Sequence, residues 1–315
     1  MIRENIKSSL LKKKGTKMSF NGKVITLEKK DENIQRACSS IMENYLPIFL
    51  PFNKLRKNNP LYKKFIDNGN ILRIENKYGV LEIRNRLITQ QHKDILETML
   101  SNSKSYIGEE QTMFVTIESR YDFLKQIGMC TTNYKYLEEK IKELEDISIS
   151  SKYQTTNGKI IEEQFGIIAA IKMVEDITKS NHKKIIKVKF TKEFTAFYLD
   201  NNLLDYKKHI NKIAELPTPF LKSIARYMLI HNKHQINIST FIENLGFDKI
   251  FTRNEINRKK KELVKYKNFL KDLNIEVISS KDKKSNTIKI DTNENKILIQ
   301  NREKKQRQFV FDAAN

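Results

Sequence analysis

Residues 216–273 decide the fold of this chain, and they read LPTPFLKSIARYMLIHNKHQINISTFIENLGFDKIFTRNEINRKKKELVKYKNFLKDL. The stretch predicts a helix, a short helix, a turn and a long basic helix. Pro219 stands at the start of the first helix, where a missing N–H is least costly. Ser239 is expected to cap the short helix, Gly246 to end it in the left-handed conformation, and Thr252 to cap the last helix.

The last helix of this stretch has an apolar face and a polar face at 100° per residue. The apolar positions are Ile256, Leu263, Leu270 and Leu273. The polar side chains are Asn254, Arg258, Lys261 and Lys265 opposite them, and Arg253, Asn257, Lys259 and Lys260 in the N-terminal half. A short helix, a turn with Gly and a second helix rich in Arg, Lys and Asn are the layout of a DNA-reading helix-turn-helix. A solvated helix in a lysine-rich chain is the alternative.

An earlier part of the chain is predicted to have the same element order. A helix begins after Thr89, and a strand at Phe114–Ile117 and a helix capped by Ser119 follow it. After a further helix, which Thr131 or Thr132 is expected to cap, a hairpin of Ile147–Tyr153 and Ile160–Val174 is interpreted as a wing. The two units share element order but little sequence. The chain is therefore predicted to be α+β, with two tandem winged-helix domains.

We expect four segments. Residues 1–35 are predicted to be a flexible basic arm, with at most a short strand at Lys23–Leu27. Residues 36–183 would form the N-terminal winged-helix domain, which supplies dimer or phosphate contacts. Residues 184–300 would form the C-terminal winged-helix domain, which is the main DNA reader. Residues 301–315 are a charged tail.

The connecting segments have weaker patterns. A helix is predicted over Ile34–Tyr45, and a loop over 46–66, where prolines interrupt the chain. Ile71–Ile74 and Val80–Ile83 predict a hairpin. Residues 177–215 are interpreted as the link between the two units, and they contain a strand at Lys184–Phe190.

The charge of the chain favours polyanionic partners. Its formal net charge is +21 at pH 7, which points to nucleic acid first and to an anionic membrane surface second. A high content of Lys, Asn and Ile is also typical of AT-rich genomes, so the charge supports nucleic-acid binding without deciding it. No apolar run has the length of a membrane span and no signal peptide is present, so no membrane partner is expected.

The sequence contains no persuasive catalytic or metal-binding constellation. Cys38 and Cys130 form no CxxC pair, the five histidines complete no zinc set, and no P-loop is present. Glu162 and Glu163 precede a strand, as the acids of nucleases sometimes do, so a nuclease or primase is the alternative from another class. We expect a protein that is not an enzyme, with no cofactor and no metal.

The two units differ in their candidate DNA contacts. The exposed face in the second unit is almost wholly basic or amide, so we expect it to carry most base readout. In the first unit, the basic side chains share their face with Glu139 and Asp146. Its candidate contacts are Thr132, Lys135 and Tyr136. The wing lysines expected to contact the DNA backbone or minor groove are Lys281, Lys283 and Lys284 in the second unit and Lys152 and Lys159 in the first. A charged, solvated turn is the alternative for these lysines.

Three stretches carry a family resemblance, over roughly residues 46–290. They are LITQQHKDILETMLS (87–101), VKFTKEFTAFYLDNNLLDYKKHINKIAELPTPFLKSIARYMLIHNK (188–233) and INISTFIENLG (236–246). They resemble, in that order, the start of the N-terminal winged helix, the linking strand and helix, and the start of the second helix-turn-helix in the iteron-binding plasmid replication initiators of the TrfA and RepE types.

The resemblance implies specific binding to iteron repeats in a replication origin, opening of an adjacent AT-rich segment, and recruitment of host DnaA, replicative helicase or clamp. It also implies a monomer–dimer equilibrium, in which a homodimer paired through the N-terminal domain restrains initiation by the monomer. Such a protein would be cytoplasmic, bacterial and associated with nucleoid or plasmid DNA.

Two features depart from the family. The first recognition helix is acidic, and no QLxLF clamp motif is present, the nearest string being QFVF at 308–311. A winged-helix transcriptional repressor of a phage or mobile element is the alternative function. Two winged helices in one chain favour the initiator, because simple repressors usually obtain two half-sites by dimerising.

The second wing can be tested with Lys283→Ala. If Lys283 contacts one phosphate, the variant should bind all DNA sequences more weakly, and the slope of log affinity against log salt should fall by about one unit. Titration at several salt concentrations measures this slope. An unchanged slope would place Lys283 in solvent.

Overall fold

The computed structural model describes residues 16–20, 23–29, 38–102, 104–108, 112–154, 160–176, 183–200, 203–279, 286–291 and 296–298. These residues form an α+β fold, as predicted, and their strands make four antiparallel sheets. Within these ranges, no helix is both long enough and apolar enough to cross a membrane.

The described elements are numbered along the chain. The strands are β1 (Thr16–Phe20), β2 (Lys23–Lys29), β3 (Ser39–Ser40), β4 (Ile71–Asn76), β5 (Gly79–Arg84), β6 (Lys104–Gly108), β7 (Met113–Ile117), β8 (Ser148–Gln154), β9 (Ile160–Phe165), β10 (Ile168–Asp176), β11 (Lys183–Phe190), β12 (Leu203–Asp205), β13 (Lys233–Asn237), β14 (Ile275–Ser279), β15 (Asn286–Asp291) and β16 (Lys296–Leu298). The α-helices are α1 (Ile41–Tyr45), α2 (Pro60–Asp67), α3 (Gln90–Asn102), α4 (Arg120–Gln126), α5 (Tyr134–Glu145), α6 (Lys192–Asp200), α7 (Ile210–Glu215), α8 (Pro219–Met228), α9 (Ile238–Asn244), α10 (Arg253–Lys265) and α11 (Lys267–Lys271). Two 3₁₀ helices cover Lys207–His209 and Phe247–Lys249.

The second winged helix has the predicted element order. Helix α8 is followed by β13, α9, α10 and the β14–β15 hairpin, and β15 lies between β13 and β14. Ile288 of β15 pairs with Ile236 on one side and with Val277 on the other. These side chains, with Phe220 and Leu263 from the helices, are buried in the core. Alternating apolar residues therefore hold this sheet against the three helices.

The first unit repeats this topology, but with a different hairpin. Helix α3 is followed by β7, α4 and α5, and β11 lies between β7 and β10. Val188 of β11 pairs with Val115 on one side and with Ile171 on the other. The sheet order β7-β11-β10 thus corresponds to β13-β15-β14 in the second unit. The β10–β11 hairpin occupies the position of the wing.

The predicted wing of the first unit is therefore wrong. The expected strand Ile160–Val174 is two strands in different sheets, β9 and β10, separated by Gly166 and Ile167. Strands β8 and β9 join β4 and β5 in a four-stranded sheet of order β4-β5-β8-β9. The physical reason is that Ile149 lies opposite Ile83, and both side chains are fully buried. The β8–β9 hairpin thus pairs edge to edge with the β4–β5 hairpin, whose existence the sequence predicted, and Ile83 and Ile149 share one buried face of the joint sheet.

The strand that was expected to begin the C-terminal domain at residue 184 belongs to the first unit. It is β11, and it pairs with β7 and β10 along its length. The first unit therefore extends to Phe190, beyond the expected boundary at 183. At the other end of the chain, β16 pairs with β12, which also pairs with β3. Residues 301–315 lie outside the described residues.

The N-terminal segments contain more regular structure than the sequence predicts. Two strands, β1 and β2, lie in the expected arm, and they extend the first sheet by pairing of β2 with β6. Helix α2 begins inside the expected loop 46–66, where the Asn59 side chain caps it by accepting from the Leu61 N–H. The helix predicted over Ile34–Tyr45 is wrong at Ser39–Ser40, which form β3, and α1 begins only at Ile41, after the Ser40 cap. Residues 34–37 lie outside the description.

Buried ionic groups join the first helices of the two units, α3 and α8. The Arg226 guanidinium donates to Glu97 at 2.8 Å and 3.0 Å, and to Asp94 at 2.6 Å. The Arg226 side chain is 3% exposed and that of Glu97 is 0% exposed. Lys222, one turn before Arg226, donates to Asp94 at 2.5 Å. The pairs lie one helical turn apart on both helices, so they fix α3 and α8 in one register.

The same cluster extends to the N-terminal elements. Lys93 donates to Glu43 of α1 at 3.0 Å and to the Ser39 hydroxyl at 2.7 Å, and the Tyr206 hydroxyl donates to Glu97. Three carboxylates therefore face three cations in the interior. We refer to the six groups as the ion cluster: Glu43, Lys93, Asp94, Glu97, Lys222 and Arg226.

The electrostatics of the ion cluster keep its central acid charged. Burial raises the pKa of the Glu97 carboxyl, but the charges of Arg226 and Lys93 lower it by more. The pKa of Glu97 therefore lies below its usual value. A carboxyl group whose pKa is lower in the folded than in the unfolded state stabilises the fold at pH values above its unfolded-state pKa. This stability is lost as the pH falls through the folded-state pKa. The fold should therefore weaken in acid.

Removing the central cation tests the role of the ion cluster. Arg226→Ala leaves Asp94 and Glu97 buried without their partner, which should cost about 3–5 kcal/mol of unfolding free energy. Denaturant unfolding measures this loss. Arg73→Ala is the control, because its ion pair with Glu82 is exposed, and it should change stability little. Equal effects of the two substitutions would contradict the account.

Candidate nucleic-acid interface

Helix α10 begins with the cap that the sequence predicts. The Thr252 hydroxyl accepts from the Glu255 N–H at 3.3 Å, and the Glu255 carboxylate accepts from the Thr252 N–H at 2.8 Å. This reciprocal capping box fixes where the helix starts. The predicted long helix ends at Lys265, however, and α11 continues after Tyr266.

Two of the lysines expected to add charge to the polar face instead hold α10 in place. Lys259 is only 8% exposed. Its Nζ lies 2.8 Å from the Glu262 carboxylate and 5.6 Å from the centre of the Phe220 ring. Lys260 donates to the Ser239 hydroxyl of α9 at 2.8 Å. These contacts attach α10 to the two helices that precede it, α8 and α9. Their charges are therefore not free for a ligand.

The turn before α10 also contacts the first unit. Gly246 has φ +68°, as predicted, and a Cβ there would lie 2.8 Å from Ile74 Cγ2 and 3.1 Å from the Glu75 carbonyl oxygen of β4. The cap of α9 differs from the prediction. The Asn237 side chain, rather than that of Ser239, accepts the hydrogen bond, from the Ser239 N–H at 2.8 Å.

The polar face of α10 is open to solvent. The exposed side chains are Arg253, Asn254, Asn257, Arg258, Lys261 and Lys265, all candidates from the sequence. In the described part of the chain, the arginines and Lys261 pair with no carboxylate, while Lys265 lies 4.9 Å from the Tyr266 ring. Val264, which the sequence did not single out, is 38% exposed beside them. Unpaired cations and amides on one face are suited to phosphates and base edges.

The corresponding helix of the first unit, α5, begins differently. Its N-cap position is Asn133, which makes no side-chain cap, so the prediction of a Thr131 or Thr132 cap is wrong. Thr132 is exposed, and the Lys135 side chain is 90% exposed and 4.0 Å from Glu139. Tyr136 is partly buried and donates its hydroxyl to Gln91 of α3. Burial, with Glu143 and Asp94 nearby, raises the pKa of Tyr136 to about 12.

Two glutamates of α5, Glu138 and Glu143, are neutralised within the chain. Glu138 pairs with Arg120 at 2.8 Å and with Lys184 at 2.9 Å. Glu143 accepts from Lys140 at 2.6 Å and from His92 at 2.7 Å. Burial raises the pKa of Glu143, but these hydrogen bonds lower it to about 2. Helix α5 carries three lysines and four glutamates, whereas α10 carries six cations and two glutamates, so an anion is attracted more strongly to α10.

His92 connects α5 to the start of α3. Its Nδ1 accepts from the Thr89 N–H at 3.0 Å, which leaves Nε2–H to donate to Glu143. Burial lowers the pKa of His92 more than Glu143 raises it, so the imidazole is neutral. Helix α3 thus begins after Thr89, as predicted.

The candidate wing residues are placed elsewhere or lie outside the description. Lys152 is in β8, not in the wing, and its Nζ lies 3.2 Å from Glu162 of β9. Lys159, Lys281, Lys283 and Lys284 lie outside the described residues. Among the residues described, Cys38 is buried and Cys130 exposed, both as free thiols, and no three His, Cys, Asp or Glu side chains could hold a metal.

Two solved structures resemble this chain over about two thirds of its length. No protein-family model and no curated protein matches this chain. The crystal structure of RctB domains 2-3 is similar at 13% identity and a TM-score of 0.44, over 70% of this chain and 90% of that chain. A selenomethionine derivative of the same domains has 11% identity and a TM-score of 0.44, over 68% and 86%. At these values the likeness assigns neither fold nor activity, and the winged helices are identified from the strand order and helices of this chain.

The contact at Gly246 predicts a specific loss of stability. Gly246→Ala combines a left-handed backbone with a clash against β4, so the unfolding free energy should fall by about 1–3 kcal/mol. Gly69→Ala is the matched control, because Gly69 has φ +66° but nothing within 4 Å of a Cβ. Denaturant unfolding should show a larger loss for Gly246→Ala. Equal losses would mean that the contact with β4 is absent.

Proposed function

We propose that this chain is a sequence-specific double-stranded DNA-binding protein that initiates plasmid replication without being an enzyme. In this proposal it binds iteron repeats at an origin, promotes opening of the adjacent DNA and recruits host replication proteins. The observation that carries the proposal is the exposed face of α10, where two arginines, two asparagines and two lysines are available to a ligand.

The chemistry of this face fits the major groove. Arg258 can donate two hydrogen bonds to guanine, and Asn254 or Asn257 can exchange two with adenine. Lys261 and Lys265 lie one and two turns further along the same face, where they can contact phosphates. Helix α10 is long enough to lie in the groove, and the cap at Thr252 leaves its first turn well defined.

The first unit has a different role in this proposal. Its helix α5 carries more glutamates than lysines, so we assign base readout to α10 and phosphate or protein contacts to the first unit. The residues proposed for phosphate contact are Thr132 and Lys135. A homodimer through the N-terminal domain, and the partners DnaA, replicative helicase and clamp, rest on the family resemblance alone.

Footprinting on the DNA upstream of its own gene tests the proposal. Purified protein should protect several evenly spaced repeats beside an AT-rich tract. Protection of a single palindrome over the promoter would instead favour a phage or mobile-element repressor. Equal protection of all DNA would contradict specific binding.

Substitutions in α10 test base readout. Arg258→Ala or Asn257→Ala should weaken specific binding by about 1–3 kcal/mol more than binding to random DNA, if the side chain makes a bidentate base contact. Arg86→Ala is the control for Arg258→Ala, because it removes the same charge at a residue that pairs with Asp146 and lies outside the proposed face. Competition binding with the repeat and a random duplex gives both affinities. An unchanged ratio for the α10 variants would remove their role in readout.

A further inference from the structure

A second exposed basic surface lies in the first unit, in the loop that follows Leu50 and in the first half of α2. Residues 53–64 read NKLRKNNPLYKK and contain five cations but no acid. We call residues 53–64 the basic segment. All five cations are exposed: Lys54, Arg56, Lys57, Lys63 and Lys64. In the part of the chain that the structure describes, none of them forms an ion pair.

This lack of partners distinguishes the basic segment from nearby surface charges. On the adjoining β4–β5 hairpin, Arg73 and Arg84 both pair with Glu82, at 3.3 Å and 2.8 Å. A lysine-rich composition alone does not explain this difference. The basic segment contains five cations and no acid, whereas the arginines of the neighbouring hairpin are paired with a glutamate. Unpaired cations held close together produce the potential that attracts a polyanion.

The basic segment is anchored at both ends. Before it, the Leu50 N–H donates to the Ile88 carbonyl at 2.9 Å, and the Asn53 carbonyl accepts from the Thr89 hydroxyl at 3.4 Å. Within it, the Leu55 side chain packs against the core. After its first half, Asn59 caps α2. The backbone that carries Lys54, Arg56 and Lys57 is therefore held in place, although their side chains extend into solvent.

The anchor also places the basic segment beside the start of α10. The Phe52 ring packs edge-on against Phe251, with 5.4 Å between centroids. Phe251 directly precedes Thr252, the cap of α10. The chain extends at most about 3.6 Å per residue, so Lys54 lies within about 7 Å of Phe52 along the chain, as Arg253 does of Phe251. The cations therefore continue the charge of α10 beyond its N-terminal end, which carries the positive end of the helix dipole.

We propose that Lys54, Arg56 and Lys57 form a binding site for the DNA phosphate backbone next to the groove that α10 reads. This inference rests on the proposed function, because α10 supplies the neighbouring contacts. Phosphate contacts carry no sequence information, so the basic segment should add affinity and salt dependence without distinguishing sequences.

The test is a pair of matched double variants. Lys54→Gln/Lys57→Gln removes two cations from the basic segment. Lys192→Gln/Lys207→Gln removes two exposed lysines from α6 and a 3₁₀ helix elsewhere in the chain. Each protein is titrated with the footprinted repeat and with a random duplex over a range of salt concentrations. Denaturant unfolding of both variants checks that they fold.

For the basic-segment variant, the slope of log affinity against log salt should become shallower by about 0.9 for each lost phosphate contact, or about two in total. Affinity should fall by the same factor on both duplexes, so the specificity ratio stays constant. The control variant should keep the wild-type slope. Arg56→Gln should add a further change of about one unit.

Two results would overturn the inference. An unchanged slope in the basic-segment variant would mean that these lysines do not contact phosphates. An equal change of slope in the control variant would mean that the effect comes from net charge alone. Failure of the proposed function has a different signature. Wild-type protein would then bind both duplexes equally, while the slopes of the two double variants would still show whether the basic segment contacts phosphates.

Discussion

The buried ion cluster between α3 and α8 is the constraint on which the arrangement of this molecule depends. Arg226 donates to Glu97 and Asp94 from a position that is almost fully buried. Charges removed from water are tolerated only with good geometry, because a missing partner leaves an uncompensated buried charge. Directional hydrogen bonds on two consecutive turns of each helix thus permit few relative positions of the two units. The cluster specifies an arrangement more than it adds stability, since an apolar interface of similar volume could hold the units as tightly.

That arrangement brings together surfaces that are distant in the chain. The turn at Gly246 lies on β4, and Phe251 packs on Phe52. Both contacts are made by the helix-turn-helix of the second unit with segments of the first unit that precede α3. The exposed face of α10 and the basic segment therefore lie near each other because of tertiary packing. Within the described residues, the cations of the ion cluster pair with carboxylates, whereas Arg253, Arg258 and Lys261 of α10 and the cations of the basic segment do not.

The second unit could be predicted because its signals are local. The capping box at Thr252 and the left-handed Gly246 each depend on a few neighbouring residues, and both are confirmed. Apolar periodicity placed α8 and α10 for the same reason. The error at Ser239 is a shift of two residues to Asn237, since either side chain can serve as a cap.

Long-range pairings explain most of the remaining errors. Two hairpins, β8–β9 and β10–β11, follow α5 in the chain. Only tertiary contacts decide that β11, rather than a strand of the first hairpin, pairs with β7. The sequence cannot show that β8 pairs with β5, because three helices and two strands lie between them in the chain. Arg226 stands in a helix where a charged residue suggests an exposed position, and its partner Glu97 lies 129 residues away. The exposed face of α10 was predicted from its spacing. Lys259 and Lys260 do not belong to that face, because they contact Phe220 and Ser239, which are distant in the sequence.

The central claim is that α10 reads base edges in the major groove. Methylation interference tests it most directly, because methylation of guanine N7 blocks the major-groove edge that arginine recognises. Binding of the wild-type protein should be lost when particular guanines within the protected site are methylated, and Arg258→Ala should bind methylated and unmethylated DNA equally at one of them. Interference confined to adenine N3 in the minor groove, or an unchanged pattern in Arg258→Ala, would contradict the claim.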